Sequence, residues 1–130
     1  MPDYQDNFKD YRGVVIQVNW SERLWNEHLN KHPEIQNLAH ASKLISEAVS
    51  APSLVITGYK PPDGKEKLIC YYREYKTSGT DVYYSKVVVG CSKSPIYVKT
   101  IFLRWALCEY AVQEKKYGFK EIHRDIKTIL

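Results

Sequence analysis

Between Leu54 and Trp105 four extended runs alternate with turn signals, and this rhythm limits the possible folds more than any other feature of the chain. The runs Leu54–Tyr59, Lys67–Tyr75, Val82–Gly90 and Ile96–Trp105 are rich in β-branched and aromatic residues. Between them lie Pro61-Pro62-Asp63-Gly64-Lys65, then Lys76–Thr80 with Ser78-Gly79, then Ser92-Lys93-Ser94-Pro95. Gly and Pro in these positions preset turn backbone, and connections this short join neighbouring strands. The spacing therefore predicts a four-stranded antiparallel meander.

Before Pro52 the periodicity is different. The first dozen residues are polar and read as an arm, and Gly13–Asn19 (GVVIQVN) reads as a first strand. Ser21 is placed to cap a helix in which Leu24, Trp25, His28, Leu29 and His32 recur at three- and four-residue spacing. Pro33 closes that helix and opens a second, whose apolar face is Ile35, Leu38, Ala39, Ile45, Ala48 and Val49, ending near Ser50-Ala51-Pro52. After the strands, Ala106–Tyr117 has helical composition with Gly118 as its cap. Phe119, Ile122, Ile126, Ile129 and Leu130 then form one side of an amphipathic tail. The expected architecture is α+β: N-terminal helices packed on a four-stranded antiparallel sheet, followed by a helical C-terminal tail. At 130 residues the chain reads as a single domain, 1–130, because two cores would each be marginal.

Charge and aromatic content divide the chain. Residues 1–50 hold five Lys/Arg against seven Asp/Glu, a balance of −2, and residues 51–130 hold fourteen against eight, a balance of +6. Nine of the eleven tyrosines lie in the basic part. Its apolar runs are too short to cross a bilayer, so a membrane role is not expected. The opening Met1-Pro-Asp-Tyr has neither the basic nor the apolar region of a secretory signal, which points to the cytoplasm. Cys70, Cys91 and Cys108 are widely spaced with no CxxC pair, so they read as reduced core residues, not zinc ligands or a redox pair.

The residues able to carry chemistry fall into two groups. His28 and His32, four apart, are neighbours on the first helix. Leu29 stands where a zinc-protease helix needs Glu, so they suit acid–base work or helix capping better than metal binding. His40 and His123 are isolated and read as surface residues. The second group is on the strands. Alternation puts Tyr71, Arg73 and Tyr75 on one face, Tyr84 with Lys86, and Tyr97 with Lys99. An open face of this kind suits RNA, since rings stack on bases and cations neutralise phosphate. Thr100 alternates with Ile96 and Val98 on the core side, so an active role for its hydroxyl requires a bulge or an edge position.

One order of residues carries a resemblance. Trp25-Asn-Glu-His28-Leu-Asn-Lys31-His32-Pro33-Glu34, a helix leaving through Ala51-Pro52-Ser53-Leu54-Val55, then Tyr72-Arg73, Val87-Val88-Val89 and Ile96–Thr100 together resemble the phage-associated BECR nucleases. That superfamily groups barnase, EndoU, anticodon-cutting colicins and RelE-type toxins. The similarity covers residues 14–105, and residues 106–130 lie outside the pattern as a helical extension. It implies metal-independent endoribonuclease activity, in which the 2′-hydroxyl attacks the adjacent phosphate and leaves a 2′,3′-cyclic phosphate. It implies no cofactor, a substrate such as tRNA or mRNA, and an antitoxin or immunity protein as partner. Carried over by position, His28 or His32 is the acid or base, Arg73 the phosphate-stabilising cation and Thr100 the hydroxyl on the scissile group. Tyr71, Tyr75, Tyr84, Lys86, Tyr97 and Lys99 are the expected RNA contacts. The alternative is a non-catalytic RNA- or protein-binding α+β domain of phage or mobile-element origin.

Overall fold

The structure, a computed structural model, describes residues 4–20, 26–27, 35, 37–59, 66–78, 81–92, 95–104 and 119–124. Its elements are β1 (Tyr4–Lys9), β2 (Val15–Trp20), α1 (Leu38–Ser50), β3 (Leu54–Tyr59), β4 (Lys67–Ser78), β5 (Asp81–Gly90), β6 (Ile96–Arg104) and β7 (Lys120–Arg124). All seven strands join in one sheet of order β1-β2-β6-β5-β4-β3-β7. β3 to β6 are neighbours in chain order and antiparallel, so the meander read from the turn signals is present. β2 lies parallel to β6, which makes the sheet mixed.

The expected architecture is corrected by these strands. The sheet has seven strands in place of four, because both ends of the chain add to it. The supposed N-terminal arm is β1, paired along its whole length with β2. A tight turn makes this possible: Gly13 donates its N–H to the Asp10 carbonyl at 2.9 Å and takes φ +87°, a conformation open to glycine. At the other end Lys120–Arg124 is not part of a helical tail but a strand on the outer edge of β3. In five residues apolar spacing cannot separate helix from strand, and the open N–H and C=O groups of β3 decide it. Residues 106–117, expected to be helical, lie outside the described residues. So does most of the expected first helix, of which Asn26 and Glu27 are helical.

The second expected helix is α1, begun at Leu38 and not at Pro33. Asn37 caps it, its side chain accepting the His40 N–H at 2.9 Å. Ala41, Leu44, Ile45, Ala48 and Val49, at three- and four-residue spacing, are buried against Ile16, Val18, Val55, Ile69, Tyr71, Val87, Val89, Val98 and Ile101. Each fully buried aliphatic side chain here contributes on the order of 2 kcal/mol. A second cluster, Leu54, Ile56, Leu68, Cys70, Tyr72, Tyr84 and Phe119, covers the opposite face of the sheet. Both faces are therefore partly buried, and the sheet does not keep one face wholly open.

Candidate functional site

Successive side chains on a strand point to opposite faces, and residues directly opposite across a strand pair share a face. On this basis β4 and β5 divide cleanly. Ile69, Tyr71, Val87 and Val89 lie beneath α1, on what is termed the helix face. Leu68, Cys70, Tyr72, Tyr84 and Val88 belong to the far face. Tyr72 is opposite Lys86 and Glu74 is opposite Tyr84, so all four share that far face.

β6 brings in a further residue through an irregularity. Val89 pairs with Val98 while Val88 pairs with Thr100, so Lys99 is an extra residue between them. One inserted residue resets the alternation. Thr100 thus stands opposite Val88 on the far face, although strict alternation from Val98 would turn it toward α1. The bulge needed for any role of Thr100 in a site is there.

At the centre of the far face the Tyr72 and Tyr84 rings lie 5.4 Å apart at 51°. The Lys86 ammonium is 5.3 Å from the centre of the Tyr72 ring, and Lys86 is only 5% exposed. A cation over an aromatic face in such a setting is stabilised by on the order of 1–2 kcal/mol. Glu74 is half-buried, and its Oε1 is buried with no hydrogen-bond partner among the described residues. Its backbone is fixed, the N–H donating to Ser53 Oγ at 3.0 Å. The far face therefore combines a buried cation, a carboxylate with a vacant acceptor, a strand hydroxyl and two phenol rings.

Toward one end of this face Tyr97 lies across Gly90, where a Cβ would come within 2.8 Å of the ring. Its hydroxyl donates to Glu66 Oε2 at 2.6 Å and lies 2.9 Å from Ser92 Oγ. Lys99 forms an ion pair with the same Glu66. The bonds from Lys99, Tyr97 and Ser92 hold the Glu66 carboxyl down at about 2. Tyr97 and Lys99 are half-buried and engaged with Glu66, so neither is a free RNA contact.

Other expected site residues are elsewhere. Tyr71 is fully buried on the helix face, its hydroxyl donating to Asp10 Oδ2 at 2.9 Å. Burial, together with that bond to a carboxylate, pushes its pKa up. Arg73 is on the helix side as well, donating from Nη1 to the Ala51 carbonyl at 2.7 Å. It satisfies a carbonyl at the C-terminus of α1, whose last turn has no basic residue of its own. Arg73 and Thr100 thus occupy opposite faces. Tyr84 shares the face of Lys86 as expected, but it is fully buried and presents no ring for base stacking. Tyr75 is the extra residue where β4 shifts register between Glu74 and Lys76, and its side chain is outside the described residues. His28 and His32 also lie outside the described residues.

Two features escaped the sequence reading. A lone acid in a strand such as Glu74 reads as a solvated side chain, and only its register with Tyr84 reveals the face it occupies. Tyr11, which follows Asp10, and His123 come from opposite ends of the chain, yet their rings lie 4.4 Å apart where the β1–β2 turn meets β7. Among the described residues no three His, Cys, Asp or Glu side chains are grouped to hold a metal ion, and no helix is long and apolar enough to cross a membrane. No family model, no curated protein and no solved structure matches this chain.

Proposed function

We propose that the protein is a metal-independent endoribonuclease whose active site is on the far face of the sheet. The observation that carries this reading is the bulge at Lys99, which turns Thr100 onto the face that holds Lys86 and Glu74. Cleavage by 2′-hydroxyl attack builds negative charge on a phosphorane-like transition state, and a positioned cation in a low-dielectric setting stabilises that charge strongly. Lys86 supplies the cation, and Thr100 donates its hydroxyl to a non-bridging phosphate oxygen. Lys86 is 5% exposed, and RNA meets its ammonium group through that opening. Arg73, committed to the end of α1, has no part in the step. The proposed substrates, tRNA or mRNA, are found in the cytoplasm, and the proposal sets the activity there.

The test is incubation of purified protein with total RNA in EDTA, followed by mapping of the ends. The expected products carry 2′,3′-cyclic phosphates. Their yield falls about 10²–10³-fold in Lys86→Met, as for loss of one transition-state charge partner. Thr100→Val falls in the same direction and Arg73→Lys retains cleavage. Absence of cleavage of any RNA, with or without divalent metal, overturns the reading. Binding to RNA that weakens with salt but yields no products then favours the non-catalytic binding domain.

A further inference from the structure

We infer that Tyr11, Arg12 and His123 form a second RNA-binding site, a stacking platform for one unpaired base and its phosphate, away from the far face. β1 and β7 are the two outer strands of the sheet, yet the turn that follows β1 meets β7. The sheet curls far enough around α1 to bring its two edges together at this end. The turn passes the end of that helix, where the Tyr11 N–H donates to the Val49 carbonyl at 2.7 Å. His123 is opposite Val55, which is buried beneath α1, so it is on the helix face. The assignment does not depend on cleavage, since stacking and charge neutralisation serve a binding domain equally.

The three groups are held in place, partly exposed, and not used up by one another. The Tyr11 and His123 rings lie 4.4 Å apart at 36°, and the Tyr71 ring meets Tyr11 edge-on at 6.5 Å. The Arg12 guanidinium is 5.5 Å from the centre of the Tyr11 ring. Asp10 holds it at Nε, 3.3 Å away, and at Nη2, 3.2 Å away, and the Tyr71 hydroxyl donates to Asp10 in turn at 2.9 Å. Arg12 Nη1 and both ring nitrogens of His123 have no hydrogen-bond partner among the described residues. Tyr11 and His123 are half-buried, and the Arg12 side chain is 41% exposed. Charge balance at Asp10 accounts for Arg12, but not for an edge-strand histidine stacked beside it with both nitrogens open. Side chains already fixed in this way lose little freedom when a ligand binds.

A nucleotide uses all three groups. Every base has a π-face, so stacking on an aromatic ring tolerates any sequence, and a guanidinium adds cation–π attraction and a donor for a phosphate oxygen. A neutral imidazole offers one donor and one acceptor to the edge of a base. Inorganic phosphate would leave the rings idle, and an apolar chain would leave Arg12 Nη1 and the imidazole nitrogens without partners. Asp10 takes no part, because donors from Arg12, Val14 and Tyr71 already occupy its oxygens. Stacking requires a base that is free of its own helix, so the ligand is single-stranded.

The test follows binding of a short mixed-sequence 2′-deoxy oligonucleotide, which has no 2′-hydroxyl to attack, to the full chain by fluorescence anisotropy. An abasic oligonucleotide of the same length is the phosphate-only probe. His123→Ala should bind the mixed-sequence probe about 5–100-fold more weakly, the scale of one lost stacking contact, and bind the abasic probe as wild type does. Arg12→Gln should weaken both and flatten the salt dependence. A second readout needs no variant to fold: in wild type the His123 ring-proton NMR signals should move upfield on addition of the mixed-sequence probe. Signals that stay in place at saturation, or that move as far with inorganic phosphate alone, overturn the platform. Wild-type affinity in His123→Ala also overturns it. A wild-type protein that shows the expected binding but cuts no RNA overturns the ribonuclease reading and leaves the platform standing.

Discussion

Asp10 and Tyr71 are sixty-one residues apart in sequence and 2.9 Å apart in space. The Asp10 side chain has no exposed surface, and burial alone would raise its pKa. The Val14 N–H, the Tyr71 hydroxyl and the Arg12 groups outweigh that effect, so the carboxyl is lowered and stays ionised. Removing one donor leaves a charged oxygen short of a partner, so Tyr71→Phe should cost about 1–3 kcal/mol in urea unfolding. The bond also imposes a pH limit. Tyrosine in the unfolded chain ionises near pH 10, whereas burial and the Asp10 contact keep Tyr71 protonated in the fold beyond that pH. The contribution is present below about pH 10 and lost above it, and Tyr71→Phe should show a shallower alkaline loss of stability than wild type. None of this was legible in the sequence, where Tyr71 is one of eleven tyrosines and its β-propensity accounts for its place. A hydrogen bond between distant residues leaves no periodic trace.

Strand existence was legible because alternation and turn residues are local. Leu54–Tyr59 is β3 with the boundaries read from the sequence, and β4, β5 and β6 differ by a few residues at their ends. Element ends and bulges were not legible, since they depend on what the neighbouring strand offers. β6 is the case that matters for the site. Strict alternation puts Thr100 beside Ile96 and Val98, and the extra residue Lys99 turns it to the other face. Lys99→Ala keeps the residue count and should keep the bulge, so cleavage should persist. Deletion of Lys99 removes the extra residue, so Thr100 follows Val98 directly, stays opposite Val88 on the far face by ordinary alternation, and cleavage should again persist. Loss of cleavage in the deletion alone, with cleavage kept in Lys99→Ala on the same RNA, would show that the pairing of Thr100 with Val88 does not suffice to position it.

Across the whole molecule, the sheet buries side chains on both faces, and side-chain contacts join strands that are not neighbours in the sheet. Glu66, just before β4, binds Lys99 and Tyr97 of β6. In the unfolded chain a glutamate takes up its proton near pH 4.5, but this one holds its charge down to about 2. As pH falls from about 4.5 toward 2 the unfolded state is therefore the better proton acceptor, and the Glu66 contribution to stability is lost over that window. Chemical unfolding at pH 5, 4 and 3 should show a smaller acid loss in Glu66→Gln than in wild type. The sequence by itself determined the strands of the meander, the presence of α1 with Ile45, Ala48 and Val49 on its buried side, and the basic, tyrosine-rich character of the second part. Those are properties of runs of residues, in which each side chain's period follows from its own backbone. Only the tertiary structure decided that both chain ends extend the sheet, that Arg73 serves the end of α1, and that Thr100, Lys86 and Glu74 share a face. Those outcomes depend on register between strands, and one inserted residue or one open sheet edge changes the register without altering the local pattern of the sequence.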